Sequence, residues 1–375
     1  MLRIAFHANQ LSERGCEVAL YDYCLFNEQL LGNRSVVFYP RHAPGNDASI
    51  IDRFRQSFDL VAYDHFSQVD QQIQAMQLDL FYAIKGGEID RLVSRAVPSM
   101  VHAVFAQSPF EIHGSAYAFI SEWLAVKCSA GLVPAVPFMV HPPTQPVDRR
   151  LRHQLGIPEQ ALVLGSYGGR SSFDVAFVRE QVIPDVLKRR TDLHLLFMNY
   201  EQFVDHPRVH FLERSTDPQA KQAFVAASDA MLHARRQGES FGLACAEFSV
   251  QHKPIFTYGD SPDRHHLSVL GSSALVYRTA DQLQRLIMAF QPTVFRPALG
   301  DSYLRYTPER VMDLFDRHLI HPALQRGALG VQLTSMTLPC RRPFSPLIRG
   351  CFWQLQIAWR RLGKVVRAAV RLFGR

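Results

Sequence analysis

Residues 230–260 read AMLHARRQGESFGLACAEFSVQHKPIFTYGD, and the parsing of this stretch decides the fold. Its pattern predicts a strand over 230–234, a loop, a helix over 241–251 and a strand over 254–258. The loop carries Arg235, Arg236, Gly238, Glu239 and Ser240. Gly242 opens the helix, and Glu247 lies inside it, eight residues after Glu239. A strand feeding a helix that returns to a strand is the repeating unit of a parallel α/β sheet. Free N–H groups at a helix start beside two glycines suit a phosphate or sugar hydroxyls. Glu239 has the chemistry to accept from hydroxyls, and Glu247, farther along, to reach a ribose. The competing reading makes Glu239 a helix cap and Glu247 a solvated surface group.

The same rhythm extends outward. Downstream of residue 150, strands fit 161–166, 193–198, 208–212 and 273–278, and helices fit 173–188, 217–228 and 279–290. Gly168, Gly169 and Arg170 follow the first of these strands. Upstream, strands fit 2–7, 35–39, 59–63, 79–84, 99–105, 117–120 and 137–141, with a helix over 14–31. Pro142, Pro143 and Pro146 mark a linker. The fold class is therefore α/β, with two Rossmann-like doubly wound domains in tandem. Ligands of such sheets bind beyond the carboxyl ends of the strands, which places a site in the cleft between two facing domains.

Composition agrees with a globular chain. Of 375 residues, 47% are apolar and 20% charged, which excludes wholesale disorder and a collagen-like repeat. Six Cys without CxxC spacing read as reduced thiols of a cytoplasmic protein. No signal-peptide pattern and no run of 18 apolar residues is present. Charge is uneven: eleven of the 41 Lys and Arg follow Asp316, and no acidic residue does. In the tail, Ile348, Phe352, Leu355, Trp359, Leu362, Val366, Val370 and Phe373 share one helical arc. Arg349, Arg360, Lys364, Arg367, Arg371 and Arg375 lie opposite. That pattern fits an anionic membrane surface. Packing of this helix on the body is the alternative. Nucleic acid is not expected as a partner, since no recognised motif accompanies the charge.

Several chemistries are missing from the sequence. It has no Walker A, GxGxxG or HExxH motif. It also lacks any Asp-x-Asp pair to anchor a chelated metal–diphosphate. His265-His266 and the pair His318/His321 lack a neighbouring Cys or carboxylate cluster at ligand spacing, so no metal site is expected.

Gly-Glu-Ser-Phe-Gly-Leu-x-x-x-Glu-Phe over 238–248, followed by Lys253-Pro254, resembles the E-x7-E signature of family-4-like retaining glycosyltransferases of the GT-B fold. Gly169-Arg170 resembles the Gly-Arg that faces the donor diphosphate in that family. Residues 260–271, 274–277 and 280–283 resemble the stretch that closes its nucleotide domain. Val101-His102 and Phe119-Ile120-Ser121-Glu122 fall where such enzymes carry an acceptor-side His and a Ser-Glu pair. There are departures. Val175 stands where the family often has Lys, His252 replaces the Gly before Lys-Pro, and the loop over 7–15 lacks paired glycines.

The resemblance implies an acceptor domain over 1–150, a nucleotide-sugar domain over 151–302, helices over 303–325 returning to the first domain, and a basic tail over 326–375. It implies transfer of a sugar from a nucleotide diphosphate, with retention and without metal or other cofactor, to a glycan or lipid-linked acceptor. Arg170, Gly168, Gly169 and the amides of Ser240, Phe241 and Gly242 would stabilise the departing diphosphate. Glu239 would orient the sugar hydroxyls and Glu247 would hold the ribose. His102 would touch the sugar or the acceptor. Ser12, Gly15, Lys85 and Gly86 would line the cleft. The rivals are a nucleotide-sugar epimerase or hydrolase, and a non-catalytic nucleotide-sugar or glycan-binding module docked on a membrane.

Overall fold

A computed structural model describes residues 1–142, 150–215, 217–292 and 302–327. Residues 328–375, which hold the amphipathic pattern of the basic tail, lie outside the described residues.

The first half builds β1 (Arg3–His7), α1 (Gly15–Gln29), β2 (Arg34–Pro40), α2 (Ala48–Ser57), β3 (Asp59–Tyr63), α3 (Ser67–Ala75), β4 (Leu80–Lys85), β5 (Ser99–Ala103), β6 (Ala116–Phe119) and α4 (Glu122–Ser129). Its six strands are parallel, in the order β3-β2-β1-β4-β5-β6. This is the doubly wound order, with its switch point between β1 and β4. Every residue of β4 and β5 is buried. Helices on both faces require such apolar strands.

The second half builds α5 (Arg150–Gln154), β7 (Leu162–Tyr167), α6 (Ile183–Arg189), β8 (Leu193–Met198), β9 (Val209–Leu212), α7 (Pro218–Ala227), β10 (Ala230–His233), β11 (Gly238–Glu239), α8 (Leu243–Ser249), β12 (Ile255–Tyr258), β13 (Asp263–Arg264), α9 (His265–Leu270), β14 (Ala274–Tyr277) and α10 (Ala280–Ala289). Its main sheet runs β14-β12-β10-β7-β8-β9, again six parallel strands in the doubly wound order. The two-residue strands β11 and β13 pair apart from it. Arg152 anchors α5 to this half. Its guanidinium lies 2.8 Å from Asp229 and donates to the carbonyls of Ala227 and Ala161.

The strand expected over 137–141 does not form. Ala135 makes one isolated bridge to Phe119, and the chain then leaves the sheet edge. Pro134 and Pro137 bring no N–H to a ladder. Phe138, Met139 and Val140 are apolar because they are buried at the junction of the two halves. There the Phe138 ring meets Phe241, and Phe241 packs against Tyr303 and Tyr306. The chain then crosses back. In α11 (Pro308–Phe315), Phe315 packs on Phe6, Tyr23 and Tyr82 of the first half. Among the described residues, no helix is long and apolar enough to cross a membrane.

Candidate active site

Two glycines shape the loop after β10. Gly238 has φ +73°, and a Cβ there would lie 2.0 Å from the Asp263 carbonyl oxygen, so only glycine permits the β11–β13 pairing. Gly242 has φ +92°, and its added Cβ would lie 3.0 Å from the Glu239 Cβ. Between them the Glu239 side chain folds back toward β10. His233 Nε2 lies 3.1 Å from its Oε1, and Arg235 donates to Oε2 at 2.9 Å. Burial opposes the charge on Glu239. The His233 hydrogen bond and the Arg235 charge outweigh it and hold the carboxyl down to about 2. Glu239 is therefore an ionised acceptor, with 16% of its side chain still exposed.

Glu247 lies about one turn into α8, and its electrostatics are opposite. Burial and, after it, the Asp22 charge push its carboxyl up to about 8 against the opposing His141. Tyr167, the last residue of β7, donates to it. His141 and Asp22 form their own pair at 3.0 Å. Glu247 thus sits where α8, β7, α1 and the crossing segment meet, and it is mostly protonated at neutral pH.

The turn after β7 holds the other donor-side candidates. The Gly168 carbonyl accepts from Asn199 Nδ2 at 2.8 Å, and the Gly169 carbonyl accepts from the Ser172 amide at 2.8 Å. Arg170 reaches outward, 78% exposed, and pairs with Glu201 at 3.0 Å. Val175 is buried in the second core, so no cation occupies that position. Across the junction of the two halves, a Cβ on Gly15 would touch Leu243 Cδ1 at 3.4 Å. The first residue of α1 therefore abuts the first residue of α8. Three ion pairs span the same junction: Arg214 holds Glu13 and Asp47, and Lys127 holds Asp263.

Several expected site residues are turned to partners within the protein. His102 is fully buried within β5. Its Nδ1 meets the Tyr82 hydroxyl at 2.8 Å and its Nε2 meets the Val136 carbonyl at 2.7 Å. Burial lowers its pKa to about 4, and neither ring nitrogen is open to a substrate. Phe241 gives its ring to the junction cluster, so only its backbone remains for a ligand. Lys85 is buried against Asp90 rather than open to the cleft. Gly86 gives its carbonyl to Gln107 Nε2 at 2.9 Å. Ser12 is turned into its own loop, donating to Glu17 and accepting from Gln10. Ser121 caps α4 by accepting from the Leu124 amide, and Glu122 accepts from Tyr306.

Sequence reasoning did not single out His233 or Thr257, and it weighed His266 only as a metal ligand. His233 Nδ1 lies 2.9 Å from Thr257 Oγ1, which lies 3.0 Å from His266 Nε2. Only the pairing of β10 with β12, which sets His233 opposite Thr257, brings them behind Glu239.

Known structures share this arrangement of two sheets. A glycosyltransferase from Rickettsia africae matches with a TM-score of 0.59 at 9% identity, over 90% of this chain and 99% of its own. Anabaena Alr3699/HepE in complex with UDP-glucose matches with a TM-score of 0.60 at 16% identity, over 90% and 99%. WaaG, a glycosyltransferase involved in lipopolysaccharide biosynthesis, matches with a TM-score of 0.54 at 13% identity, over 86% and 94%. The fold is GT-B. In GT-B terms, Glu239 and Glu247 belong to the second Rossmann-like domain and Gly15 to the first. No family model and no curated protein sequence matches the chain.

Proposed function

We propose that the chain is a glycosyltransferase that moves a sugar from a nucleotide-diphosphate donor to a glycan or lipid-linked acceptor, with retention and without metal. The observation that carries this reading is Glu239. It is an ionised carboxylate on a two-residue strand between two positive-φ glycines, held by His233 and Arg235 and partly open. An acceptor-only group so placed orients hydroxyls; it does not move protons. Glu247, protonated beside Tyr167, meets the ribose. The amides of 240–242 and Arg170, once released from Glu201, stabilise the leaving diphosphate. The first half, over 1–150, takes the acceptor, and 151–302 the donor. In Alr3699/HepE the same fold is seen with UDP-glucose, which supports a nucleotide-sugar donor here. We place the chain in the cytoplasm, with 341–375 docking it on an anionic membrane.

A second reading is favoured by one observation. Val175 is buried where the resembled family often carries Lys, so the site is short of one cation. A non-catalytic nucleotide-sugar module fits that loss. A thermal-shift panel of UDP, GDP, ADP, CMP and their common sugar conjugates separates these cases in sequence. Selective stabilisation by one nucleoside diphosphate is expected, about 2.7 kcal/mol at roughly 100 times its Kd. No shift from folded protein would remove the donor site. A shift without acceptor-dependent turnover would favour the non-catalytic module. Turnover without acceptor would favour an epimerase or hydrolase.

A further inference from the structure

We propose that His233 is a positioning residue: backed by Thr257 and His266, it fixes the orientation of the Glu239 carboxylate. This rests on the reading of Glu239 as the group that holds the donor sugar.

The sheet builds the device. β10 and β12 run parallel, with His233 opposite Thr257. Residues opposite each other on neighbouring strands present their side chains to the same face. α9 then brings in His266, whose ring centroid lies 5.0 Å from that of His233. His233, Thr257 and His266 are all buried. Core positions of this kind are ordinarily apolar, and a buried polar chain persists when its members satisfy one another. Here they do. A carboxylate only accepts, so the Nε2 of His233 carries a hydrogen. Its Nδ1 lies within hydrogen-bond distance of the Thr257 hydroxyl, which in turn meets the His266 Nε2. The ring of His233 cannot turn without breaking both of its contacts. Arg235, the other partner of Glu239, is 37% exposed and lies on the loop. His233 is therefore the rigid side of the clamp. Glu239 needs one, because its short strand is flanked by glycines in the left-handed region.

The groups facing Glu239 are known from every packed element: His233 on β10, Arg235 on the loop, Cys245 on α8, His266 on α9 and Tyr200 after β8. Removing His233 leaves the cost of burial set mainly against Arg235. The test is a carboxyl-carbon NMR titration of the full chain labelled at glutamate Cδ, with Glu239→Gln assigning the signal. Between pH 8 and 4 the wild-type signal should stay at its ionised position. In His233→Leu the midpoint should rise into that window, by about two to three pH units. His233→Gln, whose amide donates to the carboxylate, should stay close to wild type. A His233→Leu signal as flat as wild type, or a His233→Gln signal shifted equally, overturns the proposal. Should His233→Leu fail to fold, Thr257→Val keeps the imidazole but removes its backing. The Glu239 midpoint should then move the same way by less, and no movement overturns the proposal. The titration uses no nucleotide, so a blank nucleotide panel would overturn the donor reading and leave this result standing on its own.

Discussion

Replacing Glu247 by Gln should flatten the dependence of stability on pH. Burial and Asp22 raise this carboxyl from its ordinary 4.5 to about 8. A group whose pKa is raised on folding contributes its full stability below the unfolded value. That contribution is lost as pH climbs through the folded value. The window is therefore pH 4.5 to 8. At about 1.4 kcal/mol per pH unit, the dry limit of the loss is roughly 5 kcal/mol. Water reaching the partly exposed side chain screens part of this, leaving about 2 kcal/mol as the expected loss. Gln keeps the shape and accepts from Tyr167 without ionising. Urea unfolding of both chains at pH 5 and pH 8.5 reads the difference directly. Glu17, which burial raises to about 7, is common to both chains and cancels. Wild type should lose about 2 kcal/mol more than the variant over this interval. Parallel losses would show that Glu247 is not held protonated at the junction, and the assignment of its surroundings would fall with it.

Other perturbations reach other parts of the argument. Gly238→Ala should lower Tm and erase any stabilisation by a nucleotide sugar, because the new Cβ has no room beside the Asp263 carbonyl. Strain of this kind costs about 1–3 kcal/mol, and a variant with wild-type Tm and ligand response would refute the loop geometry. Arg152→Met should cost about 3–5 kcal/mol in urea unfolding, since it strands the Asp229 charge against β7; a loss under about 1 kcal/mol would mean the pair is not buried in solution. Deleting 341–375 should abolish co-sedimentation with anionic vesicles, where each basic residue contributes about 1 kcal/mol. Unchanged sedimentation would end the membrane proposal.

The two sheets were legible because a parallel strand covered on both faces reads as a mostly apolar run, and β4, β5 and β8 are buried from end to end, interrupted only by Lys85, Ser99, His102 and His194. The same signal misled at 137–141. Those residues are apolar for a different reason, burial between the halves, and periodicity does not distinguish a sheet from a junction. His102 failed similarly. A histidine near a strand end looks available until its partners, the Tyr82 hydroxyl and the Val136 carbonyl, arrive from elsewhere in the chain. The loop motif around Glu239 was legible because its glycines carry a backbone requirement. Its support was not: Glu239, His233, Thr257 and His266 are scattered along the sequence and meet only through strand register.

The two glutamates of that motif show why spacing alone does not assign roles. Both lie beside the start of α8, yet one is held near 2 and the other near 8. Glu239 faces donors that reward its charge; Glu247 faces Asp22, which penalises it. At neutral pH the first only accepts, while the second both accepts from Tyr167 and has a proton to give. If the ribose takes that proton as a hydrogen bond, donor affinity must weaken as Glu247 ionises. Nucleotide affinity, measured by titration calorimetry with the nucleoside diphosphate selected in the panel, should therefore fall between pH 7 and pH 9 in wild type. A Gln at 247 keeps an amide donor throughout that range, so its affinity should stay level. Equal declines in the two chains would place the pH dependence on the nucleotide or on another group, and would separate Glu247 from the ribose.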